Sequence, residues 1–367
     1  MADITDSFAE RIRAASPAKP LCIRGGGSKD FYGNALVGDL LDTRAHAGIV
    51  AYEPTELVIT ARCGTPLAQI EAALAAREQC LPFEPPSFGG PATLGGAVAA
   101  GLSGPRRAAV GSLRDFVLGV EVMDGESRRL TFGGQVMKNV AGFDVARLMA
   151  GSLGTLGLIL EVSLKVLPRP VAEATLRFEM PQDKAIEAMN AWAGKPLPIA
   201  ATCWQDDVLT VRLAGARAPA AGARAKLRRG VLDQRAALPA ARAKLGGEFI
   251  DQGAAFWEAL RQQRCDFFAS DDALPRLSVP SIAPPLDLPG EQIIEWGGSQ
   301  RWWRGDVSVA RKAASVAGGH AVLFRGGDKT AGVFQPLPAP LMAIHKRLKA
   351  AFDPRGVFNP GRLYPDF

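Results

Sequence analysis

Histidine is nearly absent from this sequence: His46, His320 and His345 are the only three in 367 residues. The five cysteines, Cys22, Cys63, Cys80, Cys203 and Cys265, are an odd number and widely scattered, with no C-x-x-C pair and no histidine at ligand spacing. That pattern argues against a structural zinc site or an iron-sulfur cluster, and it predicts reduced thiols and no metal. No run of about 18 uncharged apolar residues occurs, so no direct membrane span is expected. Met1 to Arg13 carries acidic residues and lacks the basic-then-apolar order of a signal peptide. Together these absences predict a cytoplasmic protein.

Glycine, by contrast, is plentiful, with 40 residues, in a chain whose hydrophobic (47%) and charged (22%) fractions are those of an ordinary soluble globular protein. The length fits roughly two domains at ~150 residues each, which leaves room for a ligand between them. The net charge of +6 raises the question of nucleic acid. The densest basic run, Arg217 to Lys244, has eight basic residues against the single acid Asp233 in an alanine-rich background. It reads as helices with solvated faces, or as a docking surface for an acidic partner, and no nucleic-acid recognition motif accompanies it.

Short β-like runs alternate with small-residue loops in the first half. Strands are expected at Leu21 to Ile23, Leu57 to Arg62, Val117 to Met123 and Leu158 to Val166. A hairpin turn is expected at Asp124-Gly125-Glu126, and a helix over Pro66 to Arg77 capped by Thr65. Leu167-Pro168-Arg169-Pro170 cannot continue in a ladder and marks a boundary. Beyond it, strands are expected near Ala174 to Phe178, Val208 to Leu213, Gln292 to Trp296 and Ala321 to Arg325. Helices are expected near Asp183 to Trp192, Ala254 to Gln263 and Val307 to Val316. The fold class is α+β, with a mostly antiparallel sheet in the second half. The expected divisions are 1–168, 169–339, and a helix and Pro/Gly-punctuated tail over 340–367.

Three glycine-rich loops carry the functional signal. Arg24-Gly25-Gly26-Gly27-Ser28 follows the first strand, Pro91-Ala92-Thr93-Leu94-Gly95-Gly96 opens a long small-residue stretch ending at Ser103-Gly104-Pro105, and Gly151 to Gly157 leads into Leu158-Ile159. Successive N–H groups in such turns form positively polarised nests that an anion can approach closely. Neither a Walker A motif nor the G-x-G-x-x-G dinucleotide fingerprint fits the spacing. Three such loops in one domain suit a long ligand carrying a pyrophosphate and a flat ring.

The order R-G-G-G-S, P-A-T-L-G-G, S-G-P, V-G-S-L-R-D-F-V-L-G (110–119), K-N-V-A-G-F-D (138–144) and G-S-L-G-T-L-G (151–157) resembles the two-part FAD-binding domain of vanillyl-alcohol-oxidase or PCMH-type flavoproteins. Over nearly the whole chain, the runs Leu277 to Pro280, Glu295 to Trp303, Gly318 to Arg325 and Phe352 to Arg362 are similar to the smaller FAD-binding subunit of bacterial glycolate oxidase. The resemblance implies FAD held by Arg24, Gly25, Gly26, Gly27 and Ser28 at the pyrophosphate, by Pro91, Ala92, Thr93, Leu94, Gly95 and Gly96 with Ser103, Gly104 and Pro105 along the diphosphate and flavin, and by backbone at Gly157, Leu158 and Ile159. It implies a smaller α+β cap domain after the FAD domain. It also implies a larger FAD-binding catalytic subunit and an iron-sulfur subunit as partners, glycolate converted to glyoxylate, and a position peripheral to the inner membrane through that assembly. Ser28 and Ser103 stand near where some relatives attach flavin covalently, so noncovalent FAD is expected.

Oxidising a 2-hydroxy acid requires a cation for the carboxylate and a base for the hydroxyl proton. Arg301, Arg304 and Arg325 are candidates for the first and His320 for the second. The H-x-G-D-G-N-x-H motif of the larger catalytic relatives is missing. An FAD-binding redox subunit is therefore expected, with a stand-alone FAD-dependent 2-hydroxy-acid dehydrogenase or an assembly scaffold with a non-redox flavin as alternatives. Trp296, Trp302 and Trp303 read as core or as a flavin or partner contact.

Overall fold

The computed structural model describes residues 3–134, 144–215 and 238–367. The part of the basic run at 217–237 and residues 138–143 of the K-N-V-A-G-F-D motif lie outside them. Residues 238–245 are helical, with Leu238 and Ala241 turned into the core.

The first half builds three sheets, the smallest pairing Gln79–Cys80 with Leu167–Pro168, so the stretch expected to be unable to continue in a ladder does join one. Leu21–Arg24 pairs in parallel with Asp39–Asp42. A five-stranded antiparallel sheet runs in the order Ile49–Glu53, Val58–Arg62, Leu158–Lys165, Val117–Met123, Arg129–Gly133. Leu158–Lys165 is central, with Leu158, Ile159, Leu160, Val162 and Leu164 buried and Glu161 and Lys165 half-buried. On one face, helices Leu67–Ala75 and Leu94–Ala100 bury Ile70, Leu74, Leu94 and Val98 against it. On the other, Met123, Leu158 and Leu160 pack on Phe8, Ile12 and Phe358.

The second half is one eight-stranded antiparallel sheet. Its order is Glu248–Phe249, Ala172–Glu179, Val208–Gly215, Ile199–Gln205, Gln292–Glu295, Gln300–Trp303, Leu274–Ser278, His320–Arg325. Helices Gln182–Ala193, Gly253–Arg261 and Val307–Val316 fall where the apolar spacing places them. Ile199–Gln205, Leu274–Ser278 and Gln300–Trp303 are strands that the sequence pattern conceals. Pro275 sits in the second of these, at a shift in ladder register beside the edge strand, where a missing N–H costs least.

Thr65 does not cap the helix. The helix starts at Leu67 behind Pro66 with no side-chain cap. The Thr65 hydroxyl is instead committed to Gly48, accepting from its N–H at 2.9 Å and donating to its carbonyl at 3.1 Å. Thr93 is a true cap, accepting from the Gly96 N–H.

Helix Ala339–Phe352 leads into a tail that returns to the first strand. The Leu21 N–H donates to the Val357 carbonyl and the Asn359 N–H to that of Leu21. Buried Asp353 holds the turn by accepting from the Val357 and Phe358 N–H groups and from Lys349 at 2.8 Å.

Candidate functional site

A groove with an open volume of about 730 Å³ runs along the glycine loops. Of the sequence-predicted residues, Arg24, Gly25, Gly26, Gly27, Ser28, Thr93, Gly95, Gly96, Gly157, Leu158 and Ile159 line it. The loops touch: a Cβ on Gly26 would stand 1.4 Å from the Pro91 carbonyl oxygen, so no side chain is possible there. Pro91, Ala92 and Leu94 do not line the groove. Pro91 supplies that contact, and Ala92 and Leu94 belong to the core. Gly95 differs from its neighbour Gly96. A Cβ on Gly95 would meet Cys63 Cβ at 2.6 Å, a packing constraint. One on Gly96 would have only Thr93 Oγ1 nearby, at 3.2 Å, and would otherwise enter the groove.

The groove's donors are main-chain. Among the described residues, the N–H groups of Gly26, Gly27 and Ser28 have no protein acceptor. Such a row of unused donors is what an anion requires. Arg24 is less open, since its Nε pairs with Asp30 at 2.6 Å. Lys29 also lines the groove, and burial, with the charge of Arg261 added, pushes its pKa down to about 8. It has no carboxylate within ion-pair distance among the described residues, so an anion in the groove would stabilise its charged form. Residues that sequence reasoning missed complete the wall: Thr43, Cys63, Leu153, Asn359 and Arg362. Asn359 accepts from the Ile23 N–H at 2.7 Å and donates to the Leu153 carbonyl at 2.7 Å, joining the first and third glycine loops. Burial pushes the Cys63 thiol up to about 12, leaving it protonated and unreactive. The donor set, the polyanion-ready turn and the apolar floor of Ile23, Leu158 and Ile159 fit an FAD.

Ser103, Gly104 and Pro105 lie elsewhere, on a second cleft between the two halves of the molecule. Its opposite wall is the large sheet, with Arg276, Glu295, Gln300, Trp302 and Phe324. Trp296 bridges the halves, its Nε1 donating to the Gly104 carbonyl at 3.1 Å and its ring lying 4.4 Å from the Arg107 guanidinium carbon. Trp302 and Trp303 are buried, and Trp302 stacks edge-on to Phe268 and Phe324.

The candidate catalytic residues are not brought together. Arg301 is 0% exposed and donates to the carbonyls of Ala283, Pro284 and Gly298. It is a structural clamp, with burial pushing its pKa down to about 10. Arg325 donates to the Phe268 carbonyl at 2.8 Å, and Arg304 pairs with Glu291 at 2.9 Å. His320 is exposed at the start of the edge strand. None of the four lines the groove or the cleft. Charge and residue type marked them in the sequence, but burial and existing partners decide their use.

Among the described residues there is no cluster of three or more His, Cys, Asp or Glu able to hold a metal, and no helix long and apolar enough to cross a membrane.

Residues 3–133 match the family model of an FAD binding domain. The chain thus carries an FAD-binding domain within a mixed α+β architecture. It is 47% identical over 367 aligned residues to "Glycolate oxidase subunit GlcE" of Escherichia coli (strain K12), covering 99% of this chain and 98% of that one. The chain belongs to that subunit's family. "Glycolate oxidase subunit GlcD" of Bacillus subtilis (strain 168) is 39% identical over 84 residues, 23% of this chain and 18% of that one. A solved structure of alkyldihydroxyacetonephosphate synthase superposes with a TM-score of 0.65 at 13% identity, over 98% of this chain and 75% of that one, a likeness of fold alone.

Proposed function

We propose that this chain is the FAD-binding redox subunit of a glycolate-oxidising assembly. In it, a larger FAD-binding subunit carries the main conversion of glycolate to glyoxylate and an iron-sulfur subunit takes the electrons on. The single observation that supports this most is the 47% identity to a glycolate oxidase subunit along essentially both whole chains. Bound FAD supplies two-electron acceptance and stepwise electron delivery. The chain's own part is to hold it: the Gly26 to Ser28 N–H groups at the pyrophosphate, with Lys29 beside them, and Gly96 and Gly157 where backbone must come close.

The FAD is held noncovalently. Ser28 carries no nucleophile strong enough to anchor flavin, Ser103 lies on the other cleft with its hydroxyl accepting from the Leu113 N–H, and the Cys63 thiol stays protonated. The assembly brings the chain to the inner membrane surface through its partners.

The test is anaerobic mixing with glycolate, following oxidised-flavin absorbance. The isolated chain releases its FAD on acid precipitation, and that flavin stays oxidised with glycolate until the larger and iron-sulfur subunits are added. Rapid bleaching by the chain alone would overturn the assignment of the main reaction to the larger subunit. Flavin precipitating with the polypeptide would overturn noncovalent binding.

A further inference from the structure

Helix Ala339–Phe352 carries an apolar face that the fold itself does not use. Its inward side is settled: Leu348 and Phe352 pack on the core of the first half, the His345 ring meets those of Tyr364 and Phe367, and Lys349 is buried. Its outward side carries Leu341, 41% exposed, and Ile344, 51% exposed, with Ala351 also exposed. Leu341, Ile344, half-buried Leu348 and Ala351 follow one another at steps of three, four and three residues. That is the a/d seam of a coiled-coil helix, and among the described residues no other helix packs along it. The charge beside the seam has one sign. From 339 to 352 the chain holds Lys346, Arg347 and Lys349 and no aspartate or glutamate. Lys349 is committed inside, donating to Asp353 and to the carbonyls of Thr155 and Phe358. Lys346 pairs at 3.5 Å with Asp366, and exposed Arg347, in the g position flanking the seam, has no carboxylate within 4.0 Å among the described residues.

We propose that this face docks an amphipathic helix of the iron-sulfur subunit, its apolar residues set against Leu341, Ile344 and Ala351 and its acidic residues pairing with Arg347 and Lys346. Charges at the e and g positions set partner choice in such seams, so an unpaired arginine there calls for an acid. A second copy of this chain does not supply one, because it would bring Arg347 and Lys346 against the same cations. Two heptads are too few to hold an isolated helix, so the docking helix belongs to a protein that also meets the surface around it.

Position in the fold favours the electron-accepting subunit. Lys349 reaches from the inner side of the helix to the Thr155 carbonyl at 2.6 Å, in the glycine loop whose Leu153, Gly154 and Gly157 line the groove. Only that loop stands between the helix and the cofactor groove. Electron transfer weakens steeply with distance, so a protein that takes electrons from a flavin in the groove does best where the wall is thin. The inference rests on the proposed function for the existence of that subunit, and on the exposed seam and its charge for the place and the chemistry of the contact.

The experiment is hydrogen–deuterium exchange on the flavin-loaded chain, alone and assembled with the larger and iron-sulfur subunits. Amides of 343–352 should exchange at least about tenfold more slowly in the assembly. Leu341→Ser combined with Ile344→Ser should leave flavin content and melting temperature unchanged yet lose the iron-sulfur subunit on size-exclusion chromatography. Arg347→Glu should weaken its retention about tenfold or more, and Arg347→Lys should keep most of it. Exchange over 343–352 that is the same alone and assembled overturns the proposal and leaves the proposed function standing, as does full retention of the iron-sulfur subunit by the double variant. Loss of the larger subunit alone would overturn the choice of partner, and a dimer of the isolated chain that the double variant abolishes would assign the face to a second copy. Failure of the three wild-type chains to assemble is read first and overturns the proposed function together with this inference.

Discussion

Where the groove offers the N–H groups of Gly26, Gly27 and Ser28, the cleft offers the side chains of Gln263, Arg276 and Glu295. The groove is made by excluding side chains: at Gly26 a single carbon would collide with the Pro91 carbonyl. The cleft is made by placing side chains on two strands of an antiparallel sheet and on the turn after helix Gly253–Arg261. Main-chain recognition is tolerant of ligand detail but intolerant of added atoms. Side-chain recognition is the reverse, because an isosteric change leaves packing alone and alters only charge or a proton.

The largest effect should come from breaking the groove's walls. Gly26→Val forces the first two glycine loops apart, so the purified variant should contain no flavin and melt well below the wild type. Stoichiometric flavin would show that the loops do not need to touch. Gly96→Val separates cofactor approach from packing, since its side chain meets little but the cofactor space. Flavin retention should fall at least about tenfold while the apoprotein melts within a few degrees of wild type. Gly95→Val, by contrast, should damage the fold itself through Cys63. Equal behaviour of the two variants, by flavin content and thermal scan, would erase that distinction.

A smaller effect is expected at Asn359, whose truncation to alanine strands the Ile23 N–H and the Leu153 carbonyl. Unfolding free energy should drop by about 1–3 kcal/mol in urea titration. On the cleft side, Glu295 carries a pKa raised to about 7 by burial. The folded state then holds a proton that the unfolded state releases near the ordinary glutamate range, so this contribution is fully present at low pH and is lost as pH rises toward 7. Glu295→Gln should flatten stability against pH between about 4.5 and 7, measured by denaturation at several pH values. A difference that instead grows above pH 8 would contradict the sign. Least of all, Arg304→Ala removes a partly exposed pairing with Glu291 and a guanidinium contact over the Phe267 ring, and should change stability by about 1 kcal/mol.

The same contrast explains what the sequence disclosed. Contiguous glycines are visible one after another, and Arg24 to Ser28, Thr93, Gly95, Gly96 and Gly157 to Ile159 do line one groove. Strands Val117–Met123 and Leu158–Lys165 were legible because β-branched and other apolar residues dominate them despite Gly119, Glu121, Glu161 and Ser163. Gln263, Arg276 and Glu295 carry no local signature, because Arg276 and Glu295 are joined by the order of strands in a sheet and Gln263 comes from the turn after helix Gly253–Arg261. Arg301 illustrates the converse error, since an arginine among tryptophans looks available until its burial and its three carbonyl partners are seen. Thr65 looked like a cap because residue type does not reveal that Gly48, distant in sequence, claims its hydroxyl.

The tail that returns Asn359 and Arg362 to the groove has a consequence for the order of events on the ribosome. Strand Leu21–Arg24 and its glycine turn emerge early, yet one wall of the groove comes from residues more than 300 positions later. A nascent chain therefore exposes the first glycine loop while it still lacks the residues that join that loop to Leu153 and hold its edge. Contacts so distant in sequence form late and slowly. Ribosome-bound chains stalled before residue 359 should therefore emerge without flavin, a result that flavin fluorescence of the isolated complexes checks.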